Sequence, residues 1–188
     1  MVGNNYGEIV DCGSVAVVDS YNYSGGLVAY NSGTLFNCFS TSIVSGRKYV
    51  GGFAGHNRGI ITWVFSLGNV SGVIYVGGFI GYNDYSISTC FAVGDVYGGT
   101  NVGRFYGEGS EYAEIDNFYY CENQIASGHQ LNLDGINVTI DHLKSENWYT
   151  AIGFLPNYWD CSKVSEGYFP TLIGLVQENL EIPKTGEV

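Results

Sequence analysis

Three stretches decide the fold: Gly25-Gly26-Leu27-Val28-Ala29-Tyr30-Asn31, Gly51-Gly52-Phe53-Ala54-Gly55-His56-Asn57 and Gly77-Gly78-Phe79-Ile80-Gly81-Tyr82-Asn83. Each lies 26 residues after the one before, without a gap. Other columns keep the same register: Asn5, Asn31, Asn57 and Asn83; Ile9, Leu35, Ile61 and Ile87; Cys12, Cys38, Val64 and Cys90; Val18, Val44, Val70 and Val96. A fifth copy opens at Val102-Gly103-Arg104-Phe105 and decays toward Asp116, with Gly109 in the Asn column and Asp116 in the Cys column. Decay at one end of an array reads as capping.

A repeat of 26 residues is shorter than a propeller blade of about 40, and its apolar positions are broken by Gly pairs and rich in Val, Ile, Phe and Tyr. Strands of about 4 to 6 residues are expected, joined by turns such as His56-Asn57-Arg58-Gly59. Equal repeat lengths then carry the argument. A parallel stack places like residue above like at the ~4.8 Å strand spacing only if every turn of chain has the same length. The expectation is an all-β protein, a parallel β-solenoid (β-helix-like) with 26-residue rungs and a mixed C-terminal cap.

The stacking accounts for particular residues. Asn5, Asn31, Asn57 and Asn83 would form a structural ladder at one corner, where Asn tolerates positive φ and its amide can bond to the amides above and below. Cys12, Cys38 and Cys90 share a column with Val64, so that column takes a small apolar group. Cys38 and Cys90 would lie two rungs apart, about 9.6 Å, too far for a disulfide. Only Cys12 and Cys38, one rung apart, could approach bonding distance. Tyr30, His56 and Tyr82 form one ring file and Leu27, Phe53, Phe79 and Phe105 another. The Gly pairs allow a bulge, so alternation leaves open which file faces outward. An exposed file would offer rings at regular spacing to a glycan, which makes Tyr30, His56 and Tyr82 the candidate ligand face.

Composition narrows the function. The 188 residues include 28 Gly, 16 Tyr and 10 Phe, with only 13% charged. With 7 Lys+Arg against 18 Asp+Glu the net charge is -11, which repels phosphate backbones and anionic lipid; no nucleic acid partner is expected. No run approaches the roughly 18 apolar residues of a membrane span, so no direct membrane insertion is expected. The start, Met1-Val2-Gly3-Asn4-Asn5, lacks the basic and apolar regions of a secretion signal and reads as the middle of something longer. Five cysteines without a Cys-x-x-Cys pair imply neither a disulfide framework nor a zinc site.

The runs Val50-Gly51-Gly52-Phe53-Ala54-Gly55-His56-Asn57-Arg58-Gly59-Ile60-Ile61 and Val76-Gly77-Gly78-Phe79-Ile80-Gly81-Tyr82-Asn83 resemble the GLUG repeat, as do Asn37-Cys38-Phe39-Ser40 and Gly68-Asn69-Val70-Ser71-Gly72. The resemblance covers about residues 2 to 107. Trp148-Tyr149, Trp159-Asp160 and Gly167-Tyr168-Phe169-Pro170-Thr171-Leu172 resemble elements that close such arrays and extend it to about residue 173. It implies a bacterial secreted or cell-surface protein, adhesin-like or accompanying IgA-cleaving zinc metallopeptidases. Metallopeptidase activity does not carry over: His56, His129 and His142 are isolated, and none has a second His one helical turn away with Glu between.

Residues 1–117 are therefore read as about 4.5 solenoid repeats, 118–176 as a cap and 177–188 as a polar tail. The cap holds one expected helix, started by Thr139 or Asp141 and running through Leu143, Trp148 and Ile152. Its aromatic residues would lie as a lid on the last rung. In the tail, Ile182-Pro183-Lys184-Thr185-Gly186 resembles the sortase signal Leu-Pro-x-Thr-Gly. That implies cleavage between Thr185 and Gly186 and transfer to cell-wall peptidoglycan, with Gln177 to Glu181 as an exposed spacer.

The acidic run Glu108, Glu111, Glu114 and Asp116 lacks a calcium-loop pattern and reads as a solvated edge. No metal and no cofactor is expected. A polysaccharide lyase on a β-helix would need carboxylates and basic groups converging on one face. Arg47, Lys48, Arg58 and Arg104 are the cations of the array, and the acids do not converge in register with them. The sequence thus points to a non-catalytic repeat region, secreted or at the cell wall, acting as adhesin or structural spacer toward a host glycan or matrix protein. The competing reading is a β-helix enzyme acting on polysaccharide.

Overall fold

A computed structural model describes residues 1–122, 124–129, 133–175 and 178–182. The chain is a succession of short strands that coils into a parallel β-solenoid of three faces. The first turn comprises Val2–Asn5, Glu8–Ser14 and Val17–Gly25, and the second Val28–Asn31, Thr34–Ser40 and Ile43–Gly51. In the third turn, after Ala54–Asn57 and Ile60–Ser66, the last strand is interrupted into Val70–Ser71 and Ile74–Gly77. Ile80–Asn83, Ser86–Ala92 and Val96–Gly103 make the fourth turn.

Pairing is parallel and in the expected register: Asn5 faces Asn31, Asn31 faces Asn57, and Asn57 faces Asn83. Leu35 faces Ile61, which faces Ile87. Each turn shelters its apolar positions only by resting on the next. Inside, Phe53, Phe79 and Phe105 stack with centroids 5.2 Å and 4.8 Å apart, beside fully buried files of Leu35, Ile61 and Ile87 and of Val50, Val76 and Val102. The Phe file thus faces inward, closing the choice that alternation left open.

Turns between faces are tight enough to demand glycine at particular points. A Cβ on Gly81 would sit 2.4 Å from the Val50 amide nitrogen and 2.6 Å from the Gly55 carbonyl. Both obstacles are backbone, which cannot yield, so the column Gly55 and Gly81 is set by close approach of neighbouring turns.

Two boundaries differ from the sequence reading. Regular pairing passes residue 117: Tyr106–Gly109, Glu114–Cys121 and Ala126–His129 add a fifth turn, and Ile136–Val138 pairs with Glu114–Cys121. Two residues inserted after the Asn corner shift the offset, so Ile87 pairs with Ile115 and Cys90 with Phe118. Phe118, and not Asp116, therefore occupies the Cys column. The expected single helix is two, Ile140–Leu143 capped by Thr139 and Glu146–Ala151 capped by Ser145. Ser145 accepts from the Trp148 amide and restarts the helix where Lys144 has left it.

The aromatic residues of the C-terminal region do not lie as a lid over the last rung. Phe39, Phe65 and Phe91 form a stacked file on the outside of the second face, at 5.5 Å and 5.0 Å. Tyr149, Phe154, Trp159 and Phe169 pack on that file, side-on to the coil. Trp159 donates from Nε1 to Asn37 Oδ1 at 3.3 Å, which ties the segment to the second turn. The end of the coil is sealed instead by Gln124, Leu133 and Asp134. Gln124 Nε2 donates to the Arg104 carbonyl at 3.0 Å, and Arg104 Nη1 lies 2.6 Å from Asp134 Oδ2. Among the described residues no helix is long and apolar enough to cross a membrane.

Candidate ligand face

The Asn ladder forms one closed network. Asn5 donates from Nδ2 to Oδ1 of Asn31, Asn31 to Asn57 and Asn57 to Asn83, each at 2.8 Å. Each Oδ1 also accepts an amide two residues on: Gly7 at 3.1 Å, Gly33 at 3.3 Å and Gly59 at 3.1 Å. Asn31, Asn57 and Asn83 are fully buried. Their amides are spent on the fold, so the ladder is structural. None of the four has the positive φ expected for it.

The left-handed positions lie elsewhere, in two other files. One holds Asp11, Asn37, Trp63 and Thr89, and the second holds Tyr23, Tyr49, Tyr75 and Asn101 at φ between 55° and 59°. Tyrosine is an unusual occupant of that conformation. Here the bend throws the three rings into a stack, with Tyr23 4.9 Å from Tyr49 and Tyr49 5.2 Å from Tyr75, each pair inclined by 16°. Lys48 Nζ sits 4.5 Å from the Tyr49 centroid and 5.4 Å from that of Tyr75, a cation on the ring faces. The signal for this file was present as Tyr23, Tyr49 and Tyr75 at the repeat spacing, but nothing in residue type marked it as a bend.

Tyr30, His56 and Tyr82 come together beside this stack as one half-buried file on the first face. The His56 ring lies nearly parallel to Tyr23 and Tyr49, at 9° and 21°. Tyr30 and Tyr82 stand across it, at 87° and 82° to His56, with centroids 5.3 Å away. The stacked rings therefore cover one another, whereas Tyr30 and Tyr82 stand roughly perpendicular to them.

Charged groups fix this arrangement. His56 Nε2 and Asp84 Oδ2 are 2.8 Å apart, and Arg58 Nε lies 3.7 Å from the same oxygen. His56 Nδ1 is buried without a hydrogen-bond partner. Burial, then the nearby Asp84 and Glu108 carboxylates, raise the Tyr82 phenol above its ordinary pKa. A ring face bordered by a carboxylate, a guanidinium and an ammonium can meet the C–H face of a sugar while the polar groups bond its hydroxyls.

Of the remaining acids singled out in the sequence, Glu108 continues this file as the strand partner of Tyr82, whereas Asp116 lies on the strand Glu114–Cys121 of another face. Glu108 accepts from Asn101 Nδ2 and from the Gly109 amide, while Asp116 accepts from Asn117. Among the described residues no three His, Cys, Asp or Glu side chains gather as metal ligands. No disulfide joins Cys12 to Cys38, although they are strand partners. Burial pushes the Cys38 thiol up to about 12 and the Cys161 thiol likewise to about 12, so neither is an activated nucleophile.

Of the sorting-like motif, Ile182 is buried at 3% exposure, and Pro183, Lys184, Thr185 and Gly186 lie outside the described residues. Ile182 is not held out on an exposed spacer. Its amide donates to the Gly167 carbonyl at 2.7 Å, and Leu180 packs against the same apolar cluster.

Comparison with known proteins agrees with this architecture. Residues 72–97 match the GLUG motif, spanning the corner that contains Tyr75, Tyr82 and Asn83. The crystal structure of a "putative immunoglobulin A1 protease" from Bacteroides ovatus has the same fold, with a TM-score of 0.71 and 22% sequence identity over 88% of this chain. The chain spans 57% of the length of that structure. No curated protein sequence matches it.

Proposed function

We propose that this GLUG-bearing solenoid is a non-catalytic adhesion module of a bacterial cell-surface or secreted protein, holding a host glycan or matrix protein along one side of the coil. One observation carries the reading. Tyr30 and Tyr82 stand across a tyrosine stack, with Lys48, Arg58 and Asp84 around them, on a scaffold whose corner is locked by the Asn ladder. Affinity would come from an extended face, since rigid aromatic side chains supply contact area at low entropic cost. Attachment to peptidoglycan through a sortase acting on Ile182 to Gly186 belongs to the same proposal.

The test is capture of the purified chain on arrays of host glycans and matrix proteins. Binding abolished by Tyr30→Ala or Tyr82→Ala supports adhesion. Binding to none of them favours the second reading, a structural spacer, for which the mutual covering of Tyr23, Tyr49 and Tyr75 speaks. Hydrolysis or lyase activity on a glycan, lost on changing Glu108 and Asp116 to Ala, would replace both with the polysaccharide-acting enzyme.

A further inference from the structure

A concavity lies away from the tyrosine corner, on the outside of the third face. It measures about 680 Å³ and is lined by Asp19, Tyr21, Ser45, Arg47, Ser71 and Gly72 among others. That volume falls in the roughly 300–1,000 Å³ range of ligand sites. The groove has a local cause. Along this face Asp19, Ser45 and Ser71 succeed one another in register. At the third turn the strand breaks between Ser71 and Ile74. There the Gly72 amide turns to the Tyr97 carbonyl at 2.9 Å and the Val73 amide to the Arg47 carbonyl at 3.1 Å.

The side chains in this groove are of a consistent kind. Tyr21 is 65% exposed, yet its position is set by Arg47, whose guanidinium carbon lies 5.2 Å from the ring centroid and whose Nη1 donates to the phenol oxygen. Asp19 is oriented by the Ser45 hydroxyl, which donates to Oδ1 at 2.9 Å. A carboxylate with one oxygen free, a guanidinium with donors to spare, an exposed ring and serine hydroxyls recognise an array of hydroxyl groups on a partly apolar body. Charge decides among such ligands. One Asp and one Arg leave the lining neutral, while the chain as a whole carries -11, which repels uronate or sialylated chains.

We infer that this groove is a binding site for a neutral oligosaccharide, with Tyr21 as the stacking ring, Asp19 as hydroxyl acceptor and Arg47 as donor. The inference rests on the adhesion reading for its ligand class and places a contact on a face distinct from Tyr30 and Tyr82. It also explains why an exposed tyrosine and an arginine are held against each other one turn apart, where solvated side chains would remain free.

The experiment is a titration of the full ¹⁵N-labelled chain with cellohexaose, xylohexaose, mannohexaose and maltohexaose, read by amide shifts. At least one hexaose is expected to give saturable shifts centred on Ser45, Gly46, Ser71 and Gly72. Affinity should fall roughly tenfold or more in Tyr21→Ala and in Arg47→Ala, with amide shifts elsewhere in the variants unchanged. Shifts centred on Tyr30 and Tyr82 that survive Tyr21→Ala overturn the groove and leave adhesion standing. No shift with any hexaose, with matrix-protein capture intact, also overturns the groove alone. Failure of both assays sinks the groove and the adhesion reading together.

Discussion

Asn31 donates from Nδ2 to Oδ1 of Asn57 across 2.8 Å, with both side chains fully buried. Removing Asn57 therefore strips a partner from Asn31, from Asn83 and from the Gly59 amide at once. A buried group left unsatisfied costs about 1–3 kcal/mol, and these share one network, so Asn57→Ala is expected to lose about 3 kcal/mol. Asn5→Ala, at the open end, should lose about 1 kcal/mol. Asn57→Asp keeps the shape but cannot donate to Asn83 and buries a charge, so it should be at least as damaging as Ala. Urea unfolding of the three variants checks the ranking; equal losses at positions 5 and 57 would break the ladder argument.

Phe65 holds the solenoid to its side-packed C-terminal region, touching Phe39 and Phe91 in its own file and Phe154, Trp159 and Phe169 across the interface. Truncation to Ala in a site this enclosed costs about 3–5 kcal/mol. The loss should fall on the cap more than on the coil, whose interior cluster is separate. Phe65→Ala is expected to weaken the near-ultraviolet circular dichroism of Trp159 and to open residues 140–175 to protease while strand content persists. Loss of strand content in step with the aromatic signal would mean the two parts fold as one.

The buried thiols set an alkaline limit. Burial raises Cys38 to about 12 and Cys90 higher still, above the value near 9 of an unfolded chain. Between those values the unfolded state has lost its thiol protons and the folded state has kept them. The folded form binds more protons, so stability is complete below about pH 9 and falls as pH rises, by about 1.4 kcal/mol per pH unit for each such thiol. Val64 occupies the same column, so valine fits it. Cys38→Val with Cys90→Val should flatten the drop in urea midpoint between pH 8 and 10.5, and an unchanged slope would assign it to other groups.

The coil was legible because a parallel stack forces like onto like, and a period of 26 with Asn31, Asn57 and Asn83 in one column admits few other structures. What escaped was whatever departs from period or from residue type. Two inserted residues moved Phe118 into the Cys column and made the fifth turn look as if it decayed at Asp116. Tyr23, Tyr49 and Tyr75 occupy a left-handed bend that Gly or Asn would have announced, held there by ring stacking. Phe39, Phe65 and Phe91 alternate outward from the coil, and only the C-terminal segment's docking buries them. The tyrosine face was half legible: the file of Tyr30, His56 and Tyr82 stood in the repeat, whereas at the groove the turn pair Ser71-Gly72 marked the strand break but nothing tied it to Tyr21 and Arg47.

The last described residues act as a clasp. Phe169 donates to the Leu180 carbonyl and Ile182 to the Gly167 carbonyl, both at 2.7 Å, with Tyr168 and Glu181 bridged antiparallel between them. A chain ending at Asn179 loses these bonds and the burial of Ile182, together about 2–4 kcal/mol of local stability. Amide exchange at Phe169 should quicken by roughly tenfold or more, while exchange at Leu35 and Ile61 inside the coil stays as it was. The clasp also bears on anchoring. A transpeptidase that takes Ile182 to Gly186 in extended form has to lift Ile182 from its site first. Phe169→Ala, which loosens that site, should therefore be processed faster than the parent chain, and equal rates would separate the clasp from any role in anchoring.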